Sequence, residues 1–391
     1  MKKKLFNVHP DVLKLGFVSF LTDISSEAIF SVFSIFFTVI IGGSASLLGF
    51  IEGLADFSAS SLDYFSGWLS DKTGKRKSLT LLGYSFSTLA KVTLLIGTSI
   101  SALASFRIIE RLGKSFRTPP RDAWLADVAE ESNRGYAFGI HKAMDKAGAI
   151  IGPFVAYFIL SGLGQSIGTF RLIFIISLIT ALASVIILSL IKERQGISHE
   201  KENIFKAWNT LSKQFKLFLI PASIFSLAYF SFAFLLLRAY SLGFAIKDIV
   251  LLYALFNISF VLFSIPIGKL GDFIGRKYII ILEYLIYIFM SLGFIFAQEK
   301  WQIIVLFLLF GFFYSIDEAQ SKAFIADIEK DRRATAIGAY NFITGLIYFP
   351  ASVIAGILWV FNPVYAFIFA ATTAFIAMLF FIFIKPWKIE I

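Results

Sequence analysis

The chain contains no cysteine. That excludes disulfides, thiolate metal ligands and a cysteine nucleophile. Its three histidines, His9, His141 and His199, are scattered and form no His-x-x-x-His pair, so a dedicated zinc site is not expected. No Ser/His/Asp constellation, phosphate-binding Gly-x4-Gly-Lys-(Ser/Thr) loop or dinucleotide fingerprint occurs. Neither enzymatic activity nor a cofactor is therefore expected. Charge is scarce too, at 16% of residues.

Apolar residues take up the difference. They make up 58% of the chain, where a soluble domain is nearer 45–50%, and mean hydropathy is +0.79. They lie in runs of 18 or more, each enough to cross a bilayer as a helix. Lipid offers bare backbone amides no partner, so the runs must be helices or barrel strands. Leu79–Ile100 and Ile173–Ile191 show no alternation of polar and apolar residues, which decides for helices.

Twelve spans are expected, at about 11–41, 46–70, 77–98, 101–128, 134–161, 169–191, 215–241, 247–271, 277–297, 301–327, 333–359 and 363–385. Residues 192–214 form the longest polar stretch, a linker between bundles at 1–191 and 215–391. The expected class is an all-α membrane protein of two six-helix bundles.

The two halves repeat one another. Gly67-Trp-Leu-Ser-Asp71-Lys72-Thr-Gly74-Lys75-Arg76-Lys77 returns roughly 200 positions later as Gly268-Lys-Leu-Gly-Asp272-Phe-Ile-Gly275-Arg276-Lys277. Ala126-Asp127, followed by Arg134 and Gly139, is answered by Ala326-Asp327, followed by Arg333 and Gly338. A duplicated membrane protein is expected to bind its ligand where the repeats meet.

The net charge of +10 could suggest nucleic acid, but its placement argues otherwise. Lys2–Lys4, Lys72, Lys75–Lys77, Lys192, Arg194, Arg276, Lys277, Lys330, Arg332, Arg333, Lys385 and Lys388 occupy alternate loops and the termini. The opposite loops, at 42–46, 97–101 and 361–363, are nearly bare. This asymmetry puts both termini, the linker and the repeated basic loops in the cytoplasm of a cell with an inner membrane. Met1-Lys-Lys-Lys resembles the start of a signal peptide. The apolar segment after it is too long, however, and carries Asp23 and Glu27, so it reads as the first span.

Ionisable groups inside the spans are costly and mark function. Asp23 and Glu27 lie one turn apart in span 1. Glu52, Asp56 and Asp63 share one face of span 2. Span 4 carries a basic stripe, Arg107, Glu110, Arg111, Lys114, Arg117 and Arg121. Span 5 adds His141, Lys142, Asp145 and Lys146. The second half has Arg238, Glu283, Asp317, Glu318 and Lys322. These charges could simply pair and hold the bundle together. Buried ion pairs seldom stabilise more than apolar isosteres do, however. The set is read as lining a water-accessible path that includes proton-titrating groups.

The 67–77 loop resembles the loop 2–3 signature of the major facilitator superfamily, with 268–277 as its degenerate echo. Arg107-Ile-Ile-Glu110-Arg111-Leu-Gly113 is similar to the family's Arg-x-x-Gln-Gly-x-Gly. Gly139, Gly148, Gly152 and Pro153 are similar to the signature of its antiporter branch. Glu110 and Arg111 depart from the pattern, as do Ala156-Tyr157 in place of Gly-Gly. The resemblance implies a secondary transporter, active as a monomer, whose spans 1, 4, 7 and 10 line a midplane cavity. Asp23, Glu27, Arg107, Glu110, Arg111 and Lys114 would face that cavity from one half, and Asp317, Glu318 and Lys322 from the other. Asp71 would gate it. With no ATP site, transport would draw on an ion gradient or run downhill. Proton-coupled efflux of an amphipathic or cationic compound and movement of an anionic organic solute both remain open. A metal cation on Asp23 and Glu27 is a third option. A non-transporting sensor is a different class, and the chain has no soluble domain to pass a signal on.

Overall fold

Apolar runs that must satisfy their own amides fold as helices, and helices account for almost all of the computed structural model. It describes residues 8–129, 134–192, 208, 211–329 and 333–384. Most of the 192–214 linker, with Arg194, lies outside them, as do Lys2–Lys4, Lys330, Arg332, Lys385 and Lys388. The side chains of Asp71, Asp272, Arg134 and Arg333 also lie outside that description.

The helices are α1 (Pro10–Ile35, closing in a wider π-helical turn, Phe36–Ile40), α2 (Ala45–Thr73), α3 (Arg76–Ile96), α4 (Ile100–Val128), α5 (Arg134–Leu163) and α6 (Ile167–Leu190). They continue as α7 (Lys213–Ala228), α8 (Ala233–Ser241), α9 (Ile246–Ile274), α10 (Arg276–Phe296), α11 (Lys300–Ile328), α12 (Arg333–Phe361) and α13 (Pro363–Phe383). Counting α7 and α8 as one span, these match the twelve expected spans to within a few residues. Ten of the twelve are long and apolar enough, among the described residues, to cross a membrane. The other two, α2 and α4, carry the charged faces noted above.

Local signals set the boundaries. The side chains of Ser99, Ser166, Ser212 and Asn362 accept hydrogen bonds from the first-turn amides of α4, α6, α7 and α13. Gly74 and Gly275 take φ of +65° and +94°, so the α2–α3 and α9–α10 turns need a residue without a Cβ.

The seventh span is broken rather than continuous. Helix geometry stops at Ala228 and resumes at Ala233, with no proline at the break. Side chains satisfy the freed backbone. Tyr287 Oη donates to the Ala228 carbonyl at 2.8 Å, and the Ser231 amide donates to Ser352 Oγ at 3.1 Å. Irregular backbone inside a membrane survives only where protein or a lined cavity satisfies it.

The chain packs as two units. One comprises Met1–Gly43, Ser58–Lys201 and Ile246–Ala254. The other comprises Ser44–Phe57, Glu202–Ala245 and Leu255–Ile391. In each repeat the second helix is shared out: the start of α2 packs in the second unit, and the start of α9 in the first.

Candidate functional site

In the first unit a charge cluster is built on the basic stripe of α4. Glu110 is completely buried. Its Oε2 faces Arg107 Nη1 at 3.9 Å and its Oε1 faces Arg117 Nη1 at 4.0 Å. Arg107 lies over the Phe30 ring at 4.5 Å, and Arg117 over the Tyr84 ring at 5.1 Å, while also donating to Ser87 Oγ. Arg111, 5.8 Å from the Phe30 ring centre, and Lys91 complete the cations acting on Glu110. Lys91 is wholly buried in α3 and donates to the Ser87 carbonyl at 3.1 Å and Ser26 Oγ at 3.3 Å.

The acids of α1 border this cluster. Asp23 is half-buried, and the charges acting on it are Asp145, Glu27, Arg117 and Lys114. Lys114 is exposed. Glu27 accepts a hydrogen bond from the Tyr253 hydroxyl, contributed by the first turns of α9. Asp145 of α5 meets Arg121 at 3.8 Å and Lys142 at 3.7 Å.

The other acidic pair expected here is elsewhere. Glu52 and Asp56 belong to the segment of α2 that packs in the second unit. Glu52 is buried there and accepts from Ser231 Oγ at 3.0 Å, at the break between α7 and α8. Asp56 acts on Tyr348. The same unit holds Glu283, on which Asp317 acts, and a Lys322–Glu318 pair at 3.6 Å. Among the described residues, no group of three His, Asp or Glu is placed to hold a metal ion.

The repeated loops are matched by a repeated contact. Arg76 Nε donates to Asp127 Oδ2 at 3.3 Å and Arg76 Nη1 to Ser70 Oγ at 2.8 Å. Arg276 Nη1 donates to Asp327 Oδ1 at 2.5 Å. Lys72 lies 4.8 Å from the Trp68 ring centre, Lys77 Nζ reaches the Ser189 carbonyl at 2.8 Å, and Lys75 is exposed. Lys277 is half-buried. Gly67 faces Pro119, and nothing crowds Gly268.

On α5 the glycines divide. A Cβ at Gly148 would strike the Phe20 carbonyl, and one at Gly152 would lie 2.7 Å from the Ile24 carbonyl. Both lie against α1 at the level of Asp23 and Glu27, just before Pro153. Gly139 faces open space.

The Major Facilitator Superfamily model matches residues 15–296 and 236–388. The chain belongs to that family. An uncharacterized MFS-type transporter of Methanocaldococcus jannaschii is 36% identical over 381 residues, 96% of this chain and 94% of the relative. Multidrug resistance protein 2 of Bacillus subtilis is 28% identical over 243 residues, 60% of each chain. Among solved structures, the nucleoside transporter NupG (D323A mutant) superposes with a TM-score of 0.77 at 14% identity, covering 95% of this chain and 98% of its own. A POT family transporter in complex with 5-aminolevulinic acid gives 0.74 at 13%, covering 98% and 97%. At such identities the likeness is one of fold. The chain is therefore a transporter of the superfamily, with its twelve spans in two six-span bundles.

Three residues of this superfamily member escaped the sequence reading. Lys91 stands alone in an otherwise apolar run, and the rule that flagged Arg107 would have flagged it. Tyr253 and Tyr229 gave no signal, since aromatic residues are common in apolar helices and only tertiary neighbours set these two apart.

Proposed function

We propose that the chain is a secondary active transporter that exports a small solute across the inner membrane in exchange for protons. It works by alternating access, as a monomer and without enzymatic activity. Its bundles are residues 1–191 and 215–391, joined by the 192–214 linker, with both termini cytoplasmic.

One observation carries this reading. Asp23 is half-buried on α1 where α5 packs closely at Gly148, and both a carboxylate, Asp145, and the cations Arg117 and Lys114 act on it. A proton carrier must meet different fields in different states of the protein. Desolvation and a nearby acid favour its neutral form, and approaching cations favour its charged form. Asp23 has both kinds of neighbour. Gly148 and Gly152 let α5 approach α1 beside it. The name of the Bacillus subtilis relative supports efflux.

The carrier is thus assigned to the acids of α1 and α2, namely Asp23, Glu27, Glu52 and Asp56. Asp71 is assigned the gate, with Asp272 the weaker counterpart. Asp71→Asn lowers transport more than Asp272→Asn, because the second loop lacks most of the flanking cations.

A second reading has its own support. Lys91, Arg107, Arg111, Lys114 and Arg117 outnumber the acids Asp23, Glu27 and Glu110 around them. That excess suits an anionic organic solute bound by guanidinium groups.

The test is a solute panel on proteoliposomes, with and without an imposed pH gradient, repeated with Asp23→Asn, Glu27→Gln, Glu52→Gln and Asp56→Asn. At least one variant should lose gradient-driven accumulation and keep downhill exchange. If all four still concentrate solute, the coupling assignment is wrong. Preference within the panel separates cationic from anionic solutes.

A further inference from the structure

Lys91 of α3 is wholly buried, and the hydrogen-bond partners of its ammonium are neutral. Its Nζ donates to the Ser87 carbonyl at 3.1 Å and to Ser26 Oγ of α1 at 3.3 Å. It has no ion pair among the described residues. The charges acting on it are Glu110 and Arg117 of α4 and Asp23 of α1. Helix α6 also packs on α3, and its one charged residue, Arg171, is exposed.

The second repeat shows what this seam needs in order to fold. Helices α3 and α10 start at Arg76 and Arg276, and α4 and α11 end at Val128 and Ile328, an offset of 200 throughout. The Arg76–Asp127 and Arg276–Asp327 contacts fix the same register in space. In that register Lys91 corresponds to Ser291, Arg107 to Phe307, Glu110 to Phe310 and Arg117 to Asp317. Rings fill the second seam. Phe294 of α10 lies edge-on to Phe307 of α11 at 6.1 Å, and Tyr287 of α10 packs on Phe313 of α11 at 4.9 Å. The same helix pair therefore closes with a serine in place of Lys91 and rings in place of Arg107 and Glu110, as expected where apolar isosteres replace buried charge. Joining the two helices does not require the lysine.

An ammonium buried without a carboxylate partner is costly, and lysine, unlike arginine, can shed the cost by releasing its proton. The partners of Nζ suit both forms. The Ser87 carbonyl accepts from an ammonium or from an amine. The Ser26 hydroxyl accepts from the ammonium and, turned about its Cβ–Oγ bond, donates to the lone pair of the amine. Among the described residues that hydroxyl has no other hydrogen bond.

A column of polar groups leads outward from this place. Arg117 donates to Ser87 Oγ, on the residue whose carbonyl holds Lys91, and lies over the Tyr84 ring. Tyr84 Oη meets Ser19 Oγ at 3.2 Å, and Arg121 Nη1 donates to the same oxygen at 2.7 Å. Arg121 Nη2 pairs at 3.0 Å with Asp122, whose side chain is 45% exposed. The column thus connects a wholly buried amine with the surface near the end of α4.

We propose that Lys91 is a proton-exchange site in the seam of α1, α3 and α4, charged in one state of the transport cycle and neutral in another. Loading forms an N–H bond between the amine lone pair and a proton taken from water. Unloading breaks that bond, leaves the electron pair on nitrogen and returns the proton to water. The site adds a base on α3 to the acids of α1 and α2, and its part in transport rests on the coupling reading above. Its titration does not, so the two can fail separately.

The titration is read by carbon NMR of the full chain in detergent, labelled at lysine Cε. The signal missing from Lys91→Met is that of Lys91. It should move as pH is stepped from about 6 to about 9, a range in which exposed lysines stay charged. Transport is read in proteoliposomes, with the panel solute that wild type concentrates. Under a gradient of about one pH unit, exchange of one proton sustains up to about tenfold accumulation of a neutral solute. Lys91→Met, which is never charged, and Lys91→Arg, which cannot release its proton, should both fall to simple equilibration and keep downhill exchange. A merely structural cation would be replaced by Arg with accumulation intact. Melting temperatures establish that each variant is folded. If Lys91→Arg does not fold, Lys91→Met and the titration still decide. The proposal is overturned if the Lys91 signal stays fixed over that range, or if either variant concentrates solute as wild type does. If wild type concentrates no solute of the panel, the coupling reading fails and the titration alone decides this site.

Discussion

The guanidinium of Arg76, at the start of α3, is buried against Asp127 near the end of α4, with 3.3 Å between Nε and Oδ2. Two hundred positions on, Arg276 and Asp327 make the same contact between α10 and α11. A duplicated sequence has kept the pair in both copies, but the surroundings differ. The Arg76 side chain is 6% exposed and is also held by Ser70, whereas that of Arg276 is 24% exposed.

That difference sets the first prediction. Arg76→Ala should destabilise the folded protein by about 1–3 kcal/mol, because buried Ser70 loses its donor and the exposed Asp127 loses its ion pair. Arg276→Ala should cost less. A double-mutant cycle of Arg76→Ala with Asp127→Ala, read by chemical unfolding in mild detergent, should show coupling near 1 kcal/mol. Strictly additive single effects would show that the contact contributes nothing.

The α5 glycines provide the second. Gly152→Ala places a methyl 2.7 Å from the Ile24 carbonyl and 2.8 Å from the Ala28 amide, so α1 and α5 must separate. Overpacking of this kind costs about 1–3 kcal/mol. Gly139→Ala meets nothing and should gain about 0.5–1 kcal/mol from helix propensity. Thermal melts of the two variants should therefore shift in opposite directions.

Glu110 provides the third. It is the acid within a group of four cations: Arg117, Arg111, Lys91 and Arg107. Glu110→Gln leaves those cations uncompensated in a buried place and should cost about 3 kcal/mol or more. Lys91→Met removes one cation of the four and keeps the volume, so its cost should be distinctly smaller. Equal losses on unfolding would show that the cluster is not organised around Glu110.

The fourth concerns sidedness. The chain is free of cysteine, so single cysteines at Ser44, Ser99 and Asn362, all exposed helix-entry positions, report without background. With the charged loops inside, an impermeant maleimide should label all three from outside intact cells. Labelling only after lysis would reverse the assignment. Each replaced residue caps a helix, so a loss of about 1 kcal/mol of stability is expected alongside.

Much of the architecture follows from sequence alone. Hydrophobic length fixes ten of the twelve spans, because a bilayer demands a run of set length; α2 and α4 carry too much charge for that. Ser, Asn and Gly mark the ends. The repeat is visible as text, since Asp127 and Asp327 recur with the same neighbours. That Arg107, Glu110 and Arg111 would share one face of α4 follows from helical period.

Tertiary structure decided the rest, for reasons that a one-dimensional pattern does not carry. Glu52 and Asp56 share a helix with Asp63, yet belong to the second unit, where Glu52 meets Ser231, because the start of α2 packs on α12 through Phe50 and Phe57 against Phe349. The seventh span stops at Ala228 without a proline. Its freed carbonyl is satisfied by Tyr287 from α10, a partner about sixty residues away. Arg117 and Asp317 occupy one repeat position with opposite charge, and only packing shows which of them is satisfied. Hydropathy is a sum over neighbours in sequence. Satisfaction of a buried charge depends on neighbours in space, and those are set by which helices meet.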